Sequence, residues 1–99
     1  MTADKTHLSR ASRIETRLRA AFTPVHFVLT DESALHAGHA GASPGGETHY
    51  RLSLASAAFE GLSRVARQRL VYTELREEFE TGLHALSLDL KTPAEAGSA

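Results

Sequence analysis

The chain has 99 residues, of which 41% are hydrophobic and 23% are charged, with a formal net charge of −1 and no cysteine. This length suits one small domain, because a second domain would be too small to bury its own core. The lack of thiols excludes a disulfide scaffold and an iron–sulfur cluster held by this chain alone. The near-neutral charge argues against a strongly electrostatic nucleic-acid-binding domain.

The first helix is predicted to begin at Ser12, because Ser12-Arg13-Ile14-Glu15 has the Ser-x-x-Glu form of a capping box. Residues 1–11 are predicted to be a flexible N-terminus. The helix should end at Thr23-Pro24, since the residue before a proline is disfavoured in the α region. Apolar residues recur between these limits at helical spacing: Ile14, Leu18, Ala21 and Phe22.

Two strands separated by a long loop should follow. Val25–Thr30 is rich in β-branched and aromatic residues, which favour a strand. Residues 31–47 are predicted to form a loop that is unusually long for a small domain, and such loops are usually either functional or disordered. Thr48–Ala55 then alternates between apolar and polar positions, as in a half-buried strand. Its predicted polar face carries His49, Arg51 and Ser53, opposite Tyr50, Leu52 and Leu54.

The second half of the chain predicts a short helical turn, a long helix and a third strand. The long helix should run over about Arg64–Thr81, with Ser63 as N-cap and Gly82 as the C-terminal stop. His84 opens the third strand, in which Leu86, Leu88 and Leu90 alternate with polar residues. One α+β domain, residues 12–93, is therefore expected, with a three-stranded sheet covered by helices on one face, and residues 94–99 are expected to be a flexible tail.

Histidines are the notable candidates for metal binding, because imidazole is both a good transition-metal ligand and a proton switch near neutral pH. The residues alone favour a core role for His84, with its ring bonded to a backbone carbonyl, although its place after Gly82 puts it near a rim. They likewise favour solvated side chains for His36 and His39 in the glycine-rich loop. His49 is expected to orient that loop by hydrogen bonding.

A second candidate site lies on the long helix, where Arg64, Arg67 and Arg69 crowd the N-terminal half. Four glutamates crowd the C-terminal half, which is the reverse of what the helix dipole favours. The arginines could bind phosphates, or they could belong to an ordinary solvated face. No nucleophile elbow or cysteine accompanies them, so we expect no enzymatic activity.

Taken together, several short motifs in this order and spacing resemble those of the BolA family over about Ile14 to Pro93. The motifs are Asp31-Glu32-Ser33, His36 with Gly38-His39, Glu47-Thr48-His49-Tyr50, Phe59-Glu60-Gly61-Leu62-Ser63, Arg67-Gln68-Arg69-Leu70-Val71-Tyr72, Leu75-x-x-Glu78, Gly82-Leu83-His84-Ala85-Leu86-Ser87 and Thr92-Pro93. The family usually carries a histidine where this chain has Gln68, which puts in doubt any role assigned to that position.

The resemblance implies an αββααβ fold like class II KH domains, with a three-stranded mixed sheet. It also implies a non-catalytic partner of a monothiol, CGFS-type glutaredoxin, sharing a bridging [2Fe–2S] cluster whose thiolates come from the glutaredoxin and from glutathione. His84 matches the family's C-terminal histidine ligand. His39 matches the loop ligand better than His36, which is the reserve candidate, and histidine ligation would raise the cluster's potential and make it acid-sensitive.

For some members the resemblance implies DNA binding and control of stress responses and morphology, for which Arg64, Arg67 and Arg69 are the candidate residues. The turn Phe59-Glu60-Gly61-Leu62-Ser63 lacks the second glycine of the KH Gly-x-x-Gly loop, so KH-type RNA binding is not expected. We expect a cytoplasmic protein that does not enter a membrane and is a monomer or weak homodimer when alone.

Overall fold

The computed structural model describes residues 9–33 and 48–97. His36 and His39 lie outside the described residues. The elements in chain order are α1 (Arg10–Phe22), β1 (His26–Asp31), β2 (His49–Ala55), a 3-10 turn (Ala57–Phe59), α2 (Arg64–Glu74), α3 (Arg76–Glu80), β3 (Ala85–Lys91) and α4 (Pro93–Gly97). This order confirms the predicted α+β architecture.

The sheet is mixed and has β2 at its centre. β1 pairs with β2 antiparallel, and β3 pairs with β2 parallel. The register places Leu29 beside Leu52 and Leu52 beside Leu88, so that inward-facing residues of the three strands form a continuous row. Because a parallel pair needs a long crossover, α2 and α3 occupy the connection between β2 and β3.

The core lies between this sheet and the helices. Its buried residues are Ile14, Leu18 and Phe22 from α1, Tyr50, Leu52 and Leu54 from β2, Phe59, Val71, Leu75, Leu83 and Leu86. The rings of Phe22 and Phe59 pack with centroids 5.2 Å apart. The predicted inward face of β2 is therefore confirmed, whereas Ala21, predicted on the buried face of α1, is exposed.

The first helix begins earlier than the Ser12 capping box predicted. Ser9 is the N-cap, and its hydroxyl accepts a hydrogen bond from the Ser12 backbone N–H. Arg10 and Ala11 are therefore helical, and Arg10 is buried. The predicted C-terminal end is confirmed, since Thr23 adopts a left-handed conformation and bonds the Arg19 carbonyl oxygen immediately before Pro24.

The predicted long helix is interrupted. Leu75 leaves helical geometry at φ −104° and ψ 16°, and its N–H bonds the carbonyl oxygens of both Val71 and Tyr72, so α2 and α3 are separate. Ser63 is confirmed as the N-cap of α2, where its hydroxyl accepts from the Ala66 N–H. Gly82 follows α3 with a positive φ of 134°, which confirms the predicted stop.

The C-terminal segment differs from the flexible tail that the sequence predicted. Pro93–Gly97 forms the short helix α4. Thr92 and Glu95 form a reciprocal cap, in which the Thr92 N–H donates to the Glu95 carboxylate and the Glu95 N–H donates to the Thr92 hydroxyl. Within residues 9–33 and 48–97, no helix has the length and apolar character needed to cross a bilayer.

Candidate metal centre

His84 lies on the surface, one residue before β3 begins. Its backbone N–H donates to the Thr48 carbonyl oxygen at 2.8 Å, and the next N–H, of Ala85, donates to the same oxygen at 3.1 Å. The chain at His84 is therefore fixed to the start of β2 while the imidazole faces solvent. The core role that the residues alone favoured is wrong, and the position near a rim is confirmed.

His49 supports the surface on which His84 lies. It opens β2 and is only 6% exposed, although the alternation had placed it on the polar face. Its Nδ1 lies 2.9 Å from the Thr48 hydroxyl oxygen. Its ring packs against that of His84, with centroids 5.3 Å apart and planes tilted by 48°. His49 thus forms a side-chain hydrogen bond, and its ring also forms one side of the His84 environment. Its predicted role in orienting the loop concerns residues 34–47, which lie outside the described residues.

Ser33, which is 7% exposed, joins the end of the first described range to the start of β2. Its hydroxyl oxygen accepts the backbone N–H groups of Thr48 at 2.9 Å and of His49 at 3.1 Å. The Ser33 N–H in turn donates to the Asp31 carboxylate at 2.8 Å. The role of Ser33 was not predicted. Its signal in the sequence is a serine two residues after an aspartate, as in an Asx turn.

Glu32, next to Ser33, makes two further contacts with β2. The Glu32 N–H donates to the His49 carbonyl oxygen at 2.7 Å. The Glu32 carboxylate pairs with the Arg51 guanidinium at 3.0 Å. Ser33 and Thr48, which flank segment 34–47 in the sequence, therefore lie beside His49, and Thr48 also contacts His84. Among the described residues, no group of three or more histidine, aspartate or glutamate side chains is placed to hold a metal ion.

A buried ion cluster joins α1 to α3 just upstream of His84. Arg10 and Glu78 are both 8% exposed, and the Arg10 guanidinium donates to the Glu78 carboxylate at 2.6 Å. Arg13 binds the same carboxylate with two hydrogen bonds of 3.0 Å. Burial raises the pKa of Glu78, but the hydrogen bonds and charges of Arg13 and Arg10 outweigh it and leave the pKa below its ordinary value.

This cluster corrects one expectation. The glutamates of the long helix were interpreted as an unfavourable arrangement that hinted at an anion partner. Arg17 also pairs with Glu77 at 3.2 Å and with Glu74 at 3.8 Å. Three of the four glutamates thus face arginines of α1, so their placement is explained within the chain.

Not all three of the arginines predicted to bind phosphate are available to a ligand. The Arg67 side chain is 12% exposed and pairs with Glu95 at 2.7 Å. Its guanidinium also donates to the carbonyl oxygens of Leu62 and Leu90. These contacts join α2, β3 and α4, which corrects the expectation that Arg67 is available to a nucleic acid. The Arg67 hydrogen bond, followed by that from the Thr92 N–H, lowers the pKa of Glu95 to about 2. Arg64 and Arg69 are exposed.

Comparisons with known proteins agree with this fold. The family described as BolA-like protein matches residues 18–95. Protein BOLA1, chloroplastic, of Arabidopsis thaliana is 49% identical over 92 residues, which cover 91% of this chain and 58% of that protein. The UV-induced protein uvi31 of Schizosaccharomyces pombe is 42% identical, covering 89% of this chain and 90% of that protein.

A solved structure of the BolA domain of SufE1 from Arabidopsis thaliana is also similar. It has a TM-score of 0.81 and 46% identity, and it covers 89% of this chain and 96% of that domain. SufE-like protein 1 itself is 47% identical, and the chain spans 24% of its length. The chain therefore spans only part of the first relatives it matches. The extent of the family match and the agreement in fold establish that this chain belongs to the BolA-like protein family.

Proposed function

We propose that this chain is a non-catalytic partner of a monothiol CGFS glutaredoxin and shares a bridging [2Fe–2S] cluster with it, in iron–sulfur trafficking or iron sensing. His84 is the ligand from the start of β3. His39 is the ligand from segment 34–47, with His36 as the alternative. The thiolates come from the glutaredoxin and from glutathione, because this chain has no cysteine.

The observation that carries the proposal is the exposed imidazole of His84 on a fixed backbone. The His84 backbone N–H donates to the Thr48 carbonyl oxygen, and the His84 ring packs against the ring of His49. A ligand shared with another molecule has to be accessible, and ligation is more favourable when little conformational freedom is lost on binding. His84 meets both requirements, whereas His49 is buried.

The donor chemistry also fits. Iron–sulfur clusters accept histidine in place of cysteine, as in Rieske centres. Two imidazoles from this chain would leave the remaining coordination to thiolates of the partner. Ser33 and Thr48, which flank segment 34–47 in the sequence, are hydrogen-bonded to each other beside His49, and His36 and His39 follow Ser33 by only a few residues. This arrangement supports ligation by a loop histidine together with His84.

The test is to mix the chain with cluster-loaded CGFS glutaredoxin and glutathione and to record visible absorption and circular dichroism. We expect a changed cluster spectrum and a one-to-one complex, both lost in His84→Ala. His26→Ala is the matched control. His26, the first residue of β1, is exposed and pairs with Ala55, which lies at the other end of β2 from His49. His39→Ala and His36→Ala identify the loop ligand. An unchanged spectrum with His84→Ala would reject the assignment.

DNA-binding regulation is the alternative function, and the arrangement of the basic residues supports it less well. Arg64 and Arg69 remain exposed on α2, whereas Arg67 is bonded to Glu95 and to two backbone carbonyls. A phosphate-contacting surface should lose affinity steeply as salt increases. A titration of duplex DNA at several salt concentrations, with Arg64→Ala and Arg69→Ala variants, distinguishes this alternative from a cluster interface.

A further inference from the structure

The backbone turn that precedes His84 is bound by a side chain that lies near the start of the sequence. Arg10, the first residue of α1, donates from one terminal nitrogen to the Thr81 carbonyl oxygen at 3.0 Å. Its second terminal nitrogen donates to the Thr81 hydroxyl at 3.1 Å and to the Glu78 carbonyl oxygen at 3.0 Å. Arg10 also donates to the Glu78 carboxylate. The guanidinium therefore binds the backbone and side chain of the turn as well as the carboxylate.

The turn is shaped to accept this guanidinium. A Cβ atom on Gly82 would lie 2.8 Å from the Arg10 terminal nitrogen, closer than real Cβ contacts allow. The Leu83 N–H donates to the Glu78 carbonyl oxygen at 2.8 Å, the same oxygen that Arg10 binds. This is the outer hydrogen bond of a Schellman turn. Arg10 thus lies against the turn and shares one of its acceptors, two residues before His84.

We propose that Arg10 is a positioning residue for His84. Its guanidinium fixes the Thr81–Leu83 turn from one side, as the Thr48 carbonyl oxygen fixes His84 from the other. The inference rests on the proposed function, because it concerns the ligand that His84 supplies. Arg10 precedes residues 18–95, which the family match covers.

The chemistry of arginine is specific to this role. A guanidinium is a rigid planar fork that can donate to several acceptors at once, whereas a lysine ammonium is a point charge on a flexible stem. Arg10→Lys keeps the charge beside Glu78 but cannot reproduce the set of bonds to Thr81 and Glu78. Arg13→Lys is the matched control, since it makes the same change on the same helix at the same carboxylate.

The experiment has two readouts. In the chain alone, NMR records the His84 amide and imidazole resonances and the nuclear Overhauser contacts between the His49 and His84 rings. In the mixture with cluster-loaded glutaredoxin and glutathione, visible circular dichroism records the cluster and its stability. We expect Arg10→Lys to shift the His84 resonances, weaken the contacts between the rings and weaken the cluster complex by about tenfold, in the range for residues that support metal ligands. Arg13→Lys should leave both readouts close to wild type.

A further variant covers the case in which Arg10→Lys does not fold. Thr81 is exposed, so Thr81→Val should be tolerated while it removes one acceptor of Arg10. It should shift His84 in the same direction by a smaller amount. The proposal is overturned if the His84 resonances do not move in the folded variants, or if both lysine variants move them equally. If the wild-type chain forms no cluster complex, the proposed function fails, and the NMR comparison still decides the role of Arg10.

Discussion

The imidazole of His49 lies against that of His84, 5.3 Å away between ring centroids, although His49 opens β2 and His84 ends the long crossover that follows that strand. The parallel pairing of β2 with β3 produces this contact by placing His49 beside Ala85, the residue after His84. A buried ring on the central strand thus forms one side of the environment of an exposed ring that immediately precedes the neighbouring strand.

This relationship predicts that His49 restricts the motion of His84. His49→Ala should leave β2 paired but increase rotamer averaging of the His84 side chain, because the ring loses a packing surface. His49→Phe should retain most of the restriction, since an aromatic ring is preserved. Three-bond Hα–Hβ couplings of His84 measure the averaging. Equal couplings in the wild type and His49→Ala would show that the ring contact does not restrain His84.

Ser33 is predicted to stabilise the fold through the two N–H groups that its hydroxyl accepts. Ser33→Ala leaves those donors, on Thr48 and His49, without this acceptor in a buried setting. Such a loss destabilises a protein by about 1–3 kcal/mol. Urea unfolding measures the change, with Ser87→Ala as the control because Ser87 is exposed on β3. A loss no larger than that of the control would contradict this role.

Glu78 is predicted to contribute stability that disappears in acid. Its pKa in the folded state is lowered from its ordinary value of 4.5. The contribution is therefore fully present above that value and is lost as the pH falls through the lowered pKa. Glu78→Gln leaves Arg10 and Arg13 without a carboxylate and should destabilise the chain by about 3 kcal/mol near neutral pH.

The measurement is the free energy of unfolding of the wild type and Glu78→Gln at pH 7 and pH 3. The difference between them should be smaller at the lower pH. Glu77→Gln is the control, because the Glu77 side chain is 77% exposed and its ion pair with Arg17 is largely solvated. A difference that stays constant with pH would rule out the paired carboxylate as its source.

Periodicity and capping residues predicted most of the fold because they are local properties. Alternation gave the inward face of β2, and Ser63 and Gly82 gave the limits of the α2–α3 region. The break at Leu75 was missed because nothing in the local sequence distinguishes an interrupted helix from a continuous one. The N-cap at Ser9 was missed because a helix that begins at Arg10 is stabilised by the burial of Arg10 against Glu78. That contact joins distant parts of the chain and is not visible in the local sequence.

The same distinction applies to the candidate site. Spacing identified His84, His36 and His39 as candidates, and the family resemblance assigned ligand roles. The exposure of His84 and the burial of His49 depend on the parallel pairing of β2 with β3, which alternation within one strand does not specify. The internal partners of Arg67 are similarly long-range, so the sequence pattern suggested a free basic surface where the fold uses the guanidinium to join three elements.

A side chain at Gly82 is disfavoured by the backbone conformation and by the position of the Arg10 guanidinium. The Gly82 φ of 134° is unfavourable for any L-residue, and a Cβ would lie 2.8 Å from the Arg10 guanidinium. Replacing Gly82 should therefore strain the backbone and displace the guanidinium.

Gly61→Ala is a control for a positive φ without a close contact, since Gly61 has φ 78° but no atom within 4 Å of its Cβ position. Gly61→Ala should destabilise the chain by about 1–2 kcal/mol through backbone strain. Gly82→Ala should destabilise it more, because φ 134° lies farther from the left-handed minimum than φ 78° and because the guanidinium is displaced. The displaced guanidinium releases the turn and should also shift the His84 amide resonance. Urea unfolding and NMR of the two variants test this, and equal destabilisation without a His84 shift would mean that the contact between Arg10 and Gly82 does not constrain the turn.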